Sequence, residues 1–444
     1  MVTDPPPNVV VILTDDQRWD TTWLMPNLQA ELVDHGVTFN SAFVVNSWCC
    51  PSRATHLTGQ YSHTSGIYTN NSPHGGATGF RTLGGDQSTL ATWLDGAGYR
   101  TALIGKYLNG YASSTTKPPG WDRWVAFKGN PSYYNYTLNV DRTAVSYGST
   151  TTDYSTDVLT AYADDFIRST EPTDPLYLFY TPFSGHVPYY PAPRHTTALS
   201  EVEPYRPPNY NEADVSDKPL WVQSLQSYTP KKTAKTDKDR LNAMRSLLAT
   251  DDGIGTIVAA LQDTGRLSNT ILIFASDHGL SVGEHRWTAK ETAYEENIHV
   301  PLIIRYDPLV SAPRTDNDDI VLNIDLAATI AEVAGVSIPP TDGTSLVPLL
   351  TSSATSWRDD FLIEHLSAAV DSHQTDKVPT FCAVRNHTHI YVKYQTGEEE
   401  LYDLIADPFE LTNLASDPTY ESIRAAMHAR MLELCTPPPP GFTP

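Results

Sequence analysis

Acidic residues follow closely after two apolar segments of the chain. The run NVVVIL leads to Asp15 and Asp16, and the run ILIFA leads to Asp277 and His278. Short continuous apolar runs are typical of strands buried on both faces of a parallel sheet. Ligands of such sheets bind beyond the carboxyl ends of the strands. Because carboxylates are the preferred ligands of hard divalent cations, these residues are candidate metal ligands.

A cysteine-containing segment carries the most specific motif. Residues 49–59 read C-C-P-S-R-A-T-H-L-T-G. The string matches, at every specified position, the C-x-P-S-R-x-x-x-L-T-G signature of type I sulfatases, whereas a buried cysteine pair before a turn would explain Cys50 alone. The chain therefore resembles the type I, formylglycine-dependent sulfatases. Its motifs are closest in style to those of glucosamine-6-sulfatases and extracellular heparan endosulfatases.

The resemblance implies a modified nucleophile at Cys49. In the family, a formylglycine-generating maturation enzyme oxidises this cysteine to an aldehyde, so that such an enzyme is an expected partner. A hydrated aldehyde carries two hydroxyls on one carbon. One can attack sulfur and release the alcohol, and the other can then expel sulfate. A plain serine or cysteine has no second hydroxyl and cannot release sulfate in this way. Arg53 is suited to hold the hydroxyl or a neighbouring oxyanion by charge-assisted hydrogen bonds.

The resemblance also implies a calcium ion, held by Asp15, Asp16, Asp277, His278 and the modified Cys49. Such an ion would lower the pKa of the hydroxyl and neutralise charge on the sulfate oxygens. His278 departs from the asparagine of many sulfatases, and imidazole is not a favoured calcium ligand, so Mg²⁺ and Mn²⁺ are alternatives. Without the family comparison, Asp16 could instead cap a turn, and His278 could support a ligand without touching the ion.

Further positions that resemble family elements carry positive charge or an imidazole. Lys106, in a G-K-Y element, and Lys290, ahead of a Y-E-E element, are implied to contact sulfate. His186, in an H-V-P element, is implied to protonate the leaving alcohol or to bind sulfate. His285 is a further candidate for substrate binding, and both His285 and His63 are candidates for shaping the pocket.

One position departs from the common pattern. Many sulfatases carry a histidine two residues after the lysine of the G-K element, and here that position is Leu108. The form K-Y-L-N at Lys106 is instead similar to that of glucosamine-6-sulfatases and heparan endosulfatases. This similarity, with the Asp277-His278 pair, favours a sulfated sugar as the substrate, for example 6-O-sulfated glucosamine.

Strands and helices alternate along most of the chain. Residues 176–180 and 301–304 are further apolar runs, and two helical stripes are apparent at Leu159, Ala163 and Phe166 and at Ile254, Ile257, Val258 and Leu261. This alternation predicts an α/β fold with a mainly parallel sheet flanked by helices. The resemblance implies the large mixed sheet of alkaline-phosphatase-like enzymes.

The predicted pattern of secondary structure changes after about residue 355. Short antiparallel strands are predicted over 380–394 and 399–404, and a closing helix over 420–434. We therefore predict a catalytic α/β domain over residues 1–355 and a smaller C-terminal α+β domain over 356–444.

The chain of 444 residues has a formal net charge of −22, from 52 acidic and 30 basic residues. Such a surface disfavours nucleic acid and anionic membranes as partners. The four cysteines are too few for a disulfide framework and contain no C-x-x-C zinc motif. Cys382 and Cys435 could form one bridge, a question that the sequence leaves open.

No apolar run approaches the ~18 residues that a membrane span requires. No signal peptide precedes the first strand either. The expected locations are therefore the cytosol, or the periplasm or exterior for an exported form whose signal is absent from this chain.

We consider three functions for this sequence. The first is a sulfatase of sulfated sugars, with a broad-specificity arylsulfatase as a variant of it. The second keeps the formylglycine but acts on phosphodiesters or phosphonate monoesters, which have a similar shape. The third is an anion-binding or sugar-binding protein that has lost catalytic activity. Such a protein would lack some of the nucleophile, metal-ligand or lysine positions, but this sequence has all of them. Specificity is expected to reside in loops such as 110–150 and in the irregular surface segment 196–240, which is predicted to rim the site.

Overall fold

The structure is a computed structural model that describes residues 5–113, 116–353, 356–367 and 377–443. Its strands are β1 (Asn8–Thr14), β2 (Val37–Phe39), β3 (Ala42–Phe43), β4 (Arg100–Gly105), β5 (Arg123–Phe127), β6 (Thr137–Val140), β7 (Thr143–Ser146), β8 (Leu176–Thr181), β9 (Thr270–Ser276), β10 (Leu302–Arg305), β11 (Arg314–Asp316), β12 (Val321–Leu322), β13 (Asp360–His365), β14 (Phe381–Asn386), β15 (His389–Tyr394) and β16 (Glu399–Asp403). Its α-helices are α1 (Pro26–Glu31), α2 (Cys49–Thr58), α3 (Ser62–Ser65), α4 (Gly76–Thr82), α5 (Leu90–Gly96), α6 (Ser155–Ser169), α7 (Leu220–Gln223), α8 (Pro230–Asp263), α9 (Glu295–Ile298), α10 (Asp325–Ala334), α11 (Val347–Leu350) and α12 (Glu421–Leu434).

A ten-stranded sheet in the order β11-β2-β10-β9-β1-β8-β4-β5-β6-β7 forms the centre of the molecule. Its five middle strands, from β9 to β5, run parallel to one another. Antiparallel strands extend the sheet on both sides, β10 beside β9 and β6 and β7 beyond β5. The predicted α/β class with a mixed, mainly parallel sheet is confirmed.

Helices cover both faces of this sheet. Along β1, Val9, Val11 and Leu13 face one hydrophobic core, and the intervening Val10 and Ile12 face the other. The predicted apolar stripes of α6 and α8 pack on the second face, whereas α2, α5 and α10 pack on the first. A strand that is buried on both faces needs apolar residues at every position, which explains the continuous apolar run.

Helix α8 begins earlier than the sequence pattern predicts. The segment 196–240 is predicted to be irregular, but its last part forms the start of this helix, with Thr229 as N-cap and Pro230 in the first turn. The polar composition of residues 230–240 hides the helical period, because this part contributes little to the apolar core. Although α8 has 34 residues, no helix in the described ranges is apolar enough to cross a membrane.

A smaller antiparallel sheet in the order β13-β14-β15-β16 lies near the C-terminus, as predicted. Helix α12 covers one face of it through Met427 and Met431. A disulfide joins Cys382 on β14 to Cys435 just after α12, which resolves the question left open by the sequence. Strand β13 was not predicted. Residue 355, at the predicted domain boundary, lies outside the described residues, and the division stays a prediction.

Candidate active site

Four neighbouring strands end at the same edge of the central sheet and carry the predicted site residues. Asp15 and Asp16 follow β1, and Asp277 follows the adjacent β9. Lys106 follows β4, which pairs with β8, and His186 lies in the segment after β8. The parallel arrangement brings together residues that are far apart in the chain: the backbone N–H of Asp16 donates to Asp277 Oδ1, 261 positions away.

The cysteine motif forms a helix that starts at the site. Cys49 is the first residue of α2, where the partial positive charge of the helix N-terminus stabilises a thiolate. Ser52 donates to the main-chain carbonyl of Asp277 and accepts from Asn323 Nδ2, so it ties the helix to the end of β9. Gly59 ends the helix in a left-handed conformation with φ of 66°. The motif therefore specifies the placement of Cys49 as well as its chemistry.

Arg53 lies one turn behind Cys49 and is fully buried. Its Nε donates to Asp277 Oδ2 at 2.8 Å, and its Nη1 donates to the carbonyl oxygen of Lys106 at 2.9 Å. Its Nη2 lies 3.5 Å from Asp15 Oδ2 and has no hydrogen-bond partner among the described residues. Arg53 therefore braces the ends of β9 and β4, with one donor left over for a further acceptor.

The predicted metal ligands converge. One ligand atom from each of Asp15, Asp16, Cys49 and His278 lies within 4.8 Å of the others. Asp277 lies beside this group: its Oδ1 accepts from the backbone N–H of Asp16 at 3.1 Å and is 3.5 Å from His278 Nε2. Asp15 Oδ1 is buried without a hydrogen-bond partner among the described residues. A buried, unpaired carboxylate oxygen in an acidic cluster fits a hard cation, so the residues present suit the implied metal.

Two lysines complete the cluster. Lys106 Nζ is 2.6 Å from Asp15 Oδ2, and Lys290 Nζ is 2.6 Å from Asp16 Oδ1 and 3.0 Å from Cys49 Sγ. Each ammonium is held by a carboxylate, which keeps it charged despite its burial. The lysines and the sulfur of Cys49 therefore share one site, where an anionic group can be bound next to a nucleophile.

The two adjacent cysteines lie in different electrostatic environments. Burial alone would raise the pKa of either thiol. At Cys49 the positive charges of Lys106 and Lys290 outweigh burial and hold the pKa well below its usual value. At Cys50 burial prevails and raises the pKa to about 12. These surroundings favour a thiolate at Cys49 and a neutral thiol at Cys50.

His186 connects this cluster to solvent. Its Nδ1 lies 2.7 Å from the carbonyl oxygen of Val187, which favours the tautomer with the proton on Nδ1. Its Nε2 is 3.9 Å from Asp16 Oδ2, and its ring packs on Phe183 at 4.7 Å between centroids. Asp16, His186 and Lys290 form part of the wall of a cavity of about 550 Å³. This cavity is the approach to Cys49.

Other residues of the cavity wall were not predicted individually. They include Tyr189 and four residues of the first turns of α8: Lys232, Lys235, Asp239 and Arg240. The prediction that segment 196–240 rims the site holds for this part of it. The available signal was the Thr-Pro pair at 229–230, which is typical of a helix start and would have placed these side chains on one helix.

Two predicted histidines lie elsewhere. His285 is fully buried, is not among the residues that line the cavity, and has its Nδ1 2.6 Å from Glu212 Oε2. His63 pairs with Glu364 at 3.0 Å and stacks on Tyr61. His285 therefore does not line this cavity, and its contact with substrate stays a prediction. Its side chain packs on Tyr294 behind the segment that carries Lys290, at 4.1 Å between ring centroids.

A close approach of two backbones fixes the position of Asp15. Gly185 has φ of 101°, and a Cβ there would lie 2.1 Å from the carbonyl oxygen of Asp15. We expect Gly185→Ala to lower the free energy of unfolding by about 3 kcal/mol, through steric overlap and backbone strain together. We also expect the variant to lose activity, because Asp15 must move. Urea unfolding and sulfate release measure the two effects.

Gly98 offers a matched control for this substitution. Its φ is 88°, but a Cβ there would meet no atom within 4 Å. Gly98→Ala should therefore cost only the backbone strain, about 1 kcal/mol, and leave activity unchanged. Equal losses of stability in the two variants would show that the contact between Gly185 and Asp15 does not matter.

Comparison with known proteins agrees with this geometry. Residues 7–336 match the family model described as Sulfatase, and residues 283–436 match that of N-sulphoglucosamine sulphohydrolase, C-terminal. N-acetylglucosamine-6-sulfatase of Homo sapiens is 31% identical over 476 aligned positions, which cover 97% of this chain and 85% of that protein. The extracellular sulfatase SULF-1 homolog of Drosophila melanogaster is 33% identical over 374 positions, 81% of this chain and 33% of that protein.

A solved structure also superposes on the chain. It is the complex of a protein with its substrate D-glucosamine-2-N,6-O-disulfate, with a TM-score of 0.83, 24% identity, and coverage of 97% of this chain and 98% of that one. The family model covers most of the chain and includes the edge of the sheet where Cys49 and the acidic cluster meet. The chain therefore belongs to the sulfatase family and is a sulfuric ester hydrolase.

Proposed function

We propose that this sulfatase removes the 6-O-sulfate of glucosamine residues in a sulfated glycan, with a formylglycine made from Cys49 as the nucleophile. One observation carries the chemical part of this proposal. The sulfur of Cys49 lies 3.0 Å from Lys290 Nζ and 3.4 Å from His278 Nε2, beside the carboxylates of Asp15 and Asp16. A nucleophile, an anion-binding ammonium and a set of metal ligands thus meet at one point.

The chain's own residues supply distinct functions in this proposal. Asp15, Asp16, Asp277 and His278, with residue 49, would hold a divalent cation, calcium by the family resemblance and Mg²⁺ or Mn²⁺ as alternatives. When bound, the cation lowers the pKa of the attacking hydroxyl and neutralises charge on the sulfate oxygens. Arg53 is a positioning residue, because it holds Asp277 and the main chain at the end of β4.

Lys106, Lys290 and His186 act on the substrate. The two ammonium groups, each held at 2.6 Å by a carboxylate, donate hydrogen bonds to the sulfate oxygens and stabilise the charge that develops there. Burial lowers the pKa of His186, but the nearby carboxylates of Asp16 and Asp15 outweigh burial and raise the pKa, which favours an imidazolium with a proton on both ring nitrogens. Its Nδ1–H is held by a main-chain carbonyl, and its Nε2–H is donated to the oxygen of the leaving alcohol. The alcohol thus leaves neutral, and the bond that breaks is its bond to sulfur.

The choice of sugar rests on relatives and on the cavity. N-acetylglucosamine-6-sulfatase is similar over nearly the whole chain, and the K-Y-L-N form at Lys106 supports the same choice. A cavity of about 550 Å³ has room for a sugar ring. Its wall includes apolar surface from Tyr189 and Leu280, against which the apolar face of a sugar can pack.

A panel of esters tests this proposal. We expect the highest kcat/KM for N-acetylglucosamine 6-sulfate, compared with a galactose 6-sulfate, a 2-O-sulfated uronic acid and an aryl sulfate. A phosphonate monoester and a phosphodiester of matched shape measure the second function that the sequence allows. Turnover of the aryl sulfate alone, or a higher kcat/KM for either phosphorus ester, would contradict the proposed substrate.

A further inference from the structure

Two cationic side chains in the cavity wall form no ion pair with a residue that the structure describes. Lys232 and Arg240 lie on the first turns of α8 and share the cavity with Lys290 and His186. Among the described residues neither of them forms an ion pair within 4.0 Å. Both side chains therefore bring to the cavity wall a positive charge without an ion-pair partner in the described ranges.

Two neighbouring cations on the same side of the molecule are paired. Lys235 forms an ion pair with Asp239 within α8. Arg206 contacts both carboxylate oxygens of Asp237 at 2.7 Å. Lys231 and Lys238 of α8 also form no ion pair with a described residue, but unlike Lys232 and Arg240 they do not line the cavity.

Aromatic rings hold both unpaired cations in place. Lys232 Nζ lies 3.7 Å from the ring centroid of Tyr228, and the guanidinium of Arg240 lies 4.8 Å from that of Tyr205. Arg240 Nε is buried without a hydrogen-bond partner among the described residues. A cation–π contact orients a positive charge without using its N–H donors, so these donors remain available to an anion.

The surroundings of Lys232 and Arg240 favour an added negative charge. Burial, and next the nearby Lys377, lower the pKa of Lys232. Burial also lowers the pKa of Arg240; the carboxylate of Asp20 opposes this effect, and the positive charge of Arg18 adds to it. A bound anion would relieve both the repulsion and the loss of hydration.

We propose that Lys232 and Arg240 form a second anion subsite, which binds a sulfate or carboxylate group of the substrate other than the sulfate ester that is cleaved. This inference rests on the proposed function, since it assumes that a sugar sulfate occupies the cavity. It narrows the substrate class to acidic glycans that carry at least two anionic groups. A neutral sugar with a single sulfate would leave the subsite without a ligand.

Three substrates test the subsite. N-acetylglucosamine 6-sulfate carries only the ester to be cleaved, D-glucosamine-2-N,6-O-disulfate adds a sulfate, and a 6-sulfated glucosamine linked to a uronic acid adds a carboxylate. We expect wild-type kcat/KM to be higher for at least one doubly anionic substrate, and the preferred one identifies the group that is bound. This preference should weaken as ionic strength rises, because part of the subsite is open to solvent.

Substitutions then test whether Lys232 and Arg240 cause the preference for the doubly anionic substrate. Lys232→Ala and Arg240→Met should each lower the ratio of kcat/KM for the preferred doubly anionic substrate to that for the singly sulfated one by about three- to tenfold. Lys231→Ala, which removes an exposed lysine that does not line the cavity, should leave the ratio unchanged. Lys232 is exposed, so its variant remains informative even if the Arg240 variant folds poorly.

The outcomes separate this inference from the proposed function. Hydrolysis of all three sugars with a ratio that neither Lys232→Ala nor Arg240→Met changes would contradict the subsite alone. Turnover of an aryl sulfate but of none of the sugars would contradict the proposed substrate, and the subsite with it.

Discussion

Replacing Cys49 by alanine is expected to lower kcat on any sulfate ester by at least about four orders of magnitude, because the nucleophile itself is lost. The remaining cation cluster can still bind the anion, so KM should change much less. Cys49 is nearly fully buried at the start of α2, and loss of its side chain removes few packing contacts. The Tm of the variant should therefore stay close to that of the wild type. Initial rates with an aryl sulfate, and thermal unfolding, measure both effects.

Cys50 provides the matched control, since it has the same side chain and lies one residue further along the helix. Its Sγ accepts a hydrogen bond from the backbone N–H of Gly76 at 3.1 Å, and burial raises its pKa to about 12. Cys50→Ala should cost about 1 kcal/mol of stability and leave kcat within a few fold of the wild type. Full activity of Cys49→Ala, or equal loss in both variants, would contradict the assignment of the nucleophile.

Asp15→Asn is expected to have the second largest effect, with a loss of bound metal and a fall in kcat/KM of about three orders of magnitude. The substitution keeps the size of the side chain and removes one of the charges that the cation needs. Asp15 Oδ1 is buried and has no hydrogen-bond partner among the described residues, so it is available to the cation. Elemental analysis of the purified protein gives the metal content directly.

A binding measurement that does not depend on activity accompanies this test. After chelation, wild-type protein should gain about 2.7 kcal/mol of stability at a calcium concentration 100 times the Kd, which appears as a rise in Tm. Asp15→Asn should show little or no rise. Asp34→Asn, which changes an exposed carboxylate far from the cluster in the fold, should behave as the wild type. Equal metal content and an equal rise in Tm in all three proteins would exclude Asp15 as a ligand.

The central site could be predicted because its residues follow strands that can be recognised in the sequence as continuous apolar runs. The apolar runs before Asp15 and before Asp277 are long enough to identify β1 and β9. Parallel strands end at one edge, so Asp15-Asp16 and Asp277-His278 had to meet once these strands were neighbours. The order of strands, which places β9 directly beside β1, does not follow from the runs themselves.

The cavity wall was harder to predict because it is built from polar turns of a helix. Residues 230–240 contain lysines, aspartates and Arg240, with no apolar stripe, although they continue the helix that Ile254 and Ile257 define. Their side chains face solvent and the cavity, so no core burial constrains their pattern. The short strands β6 and β7 at one end of the sheet are likewise determined by their neighbours in the sheet and were not predicted.

His285 shows that a residue close to Lys290 in the sequence need not line the same cavity. It lies five residues before Lys290 and was expected to share its pocket. The structure has φ of 48° at His285 and 63° at Arg286, so that two successive left-handed residues turn the chain away from the cavity. Non-glycine residues rarely adopt this conformation, and no sequence pattern marks it.

The most direct test of the account is the mass of residue 49 in protein that is active on a sulfate ester. Trypsin releases this residue in a peptide that spans positions 19–53. If Cys49 becomes formylglycine, the peptide loses two hydrogens and the mass difference between sulfur and oxygen, and the converted fraction should rise in proportion to the specific activity across preparations. Full activity in a preparation whose peptide contains only the unmodified thiol would contradict the account.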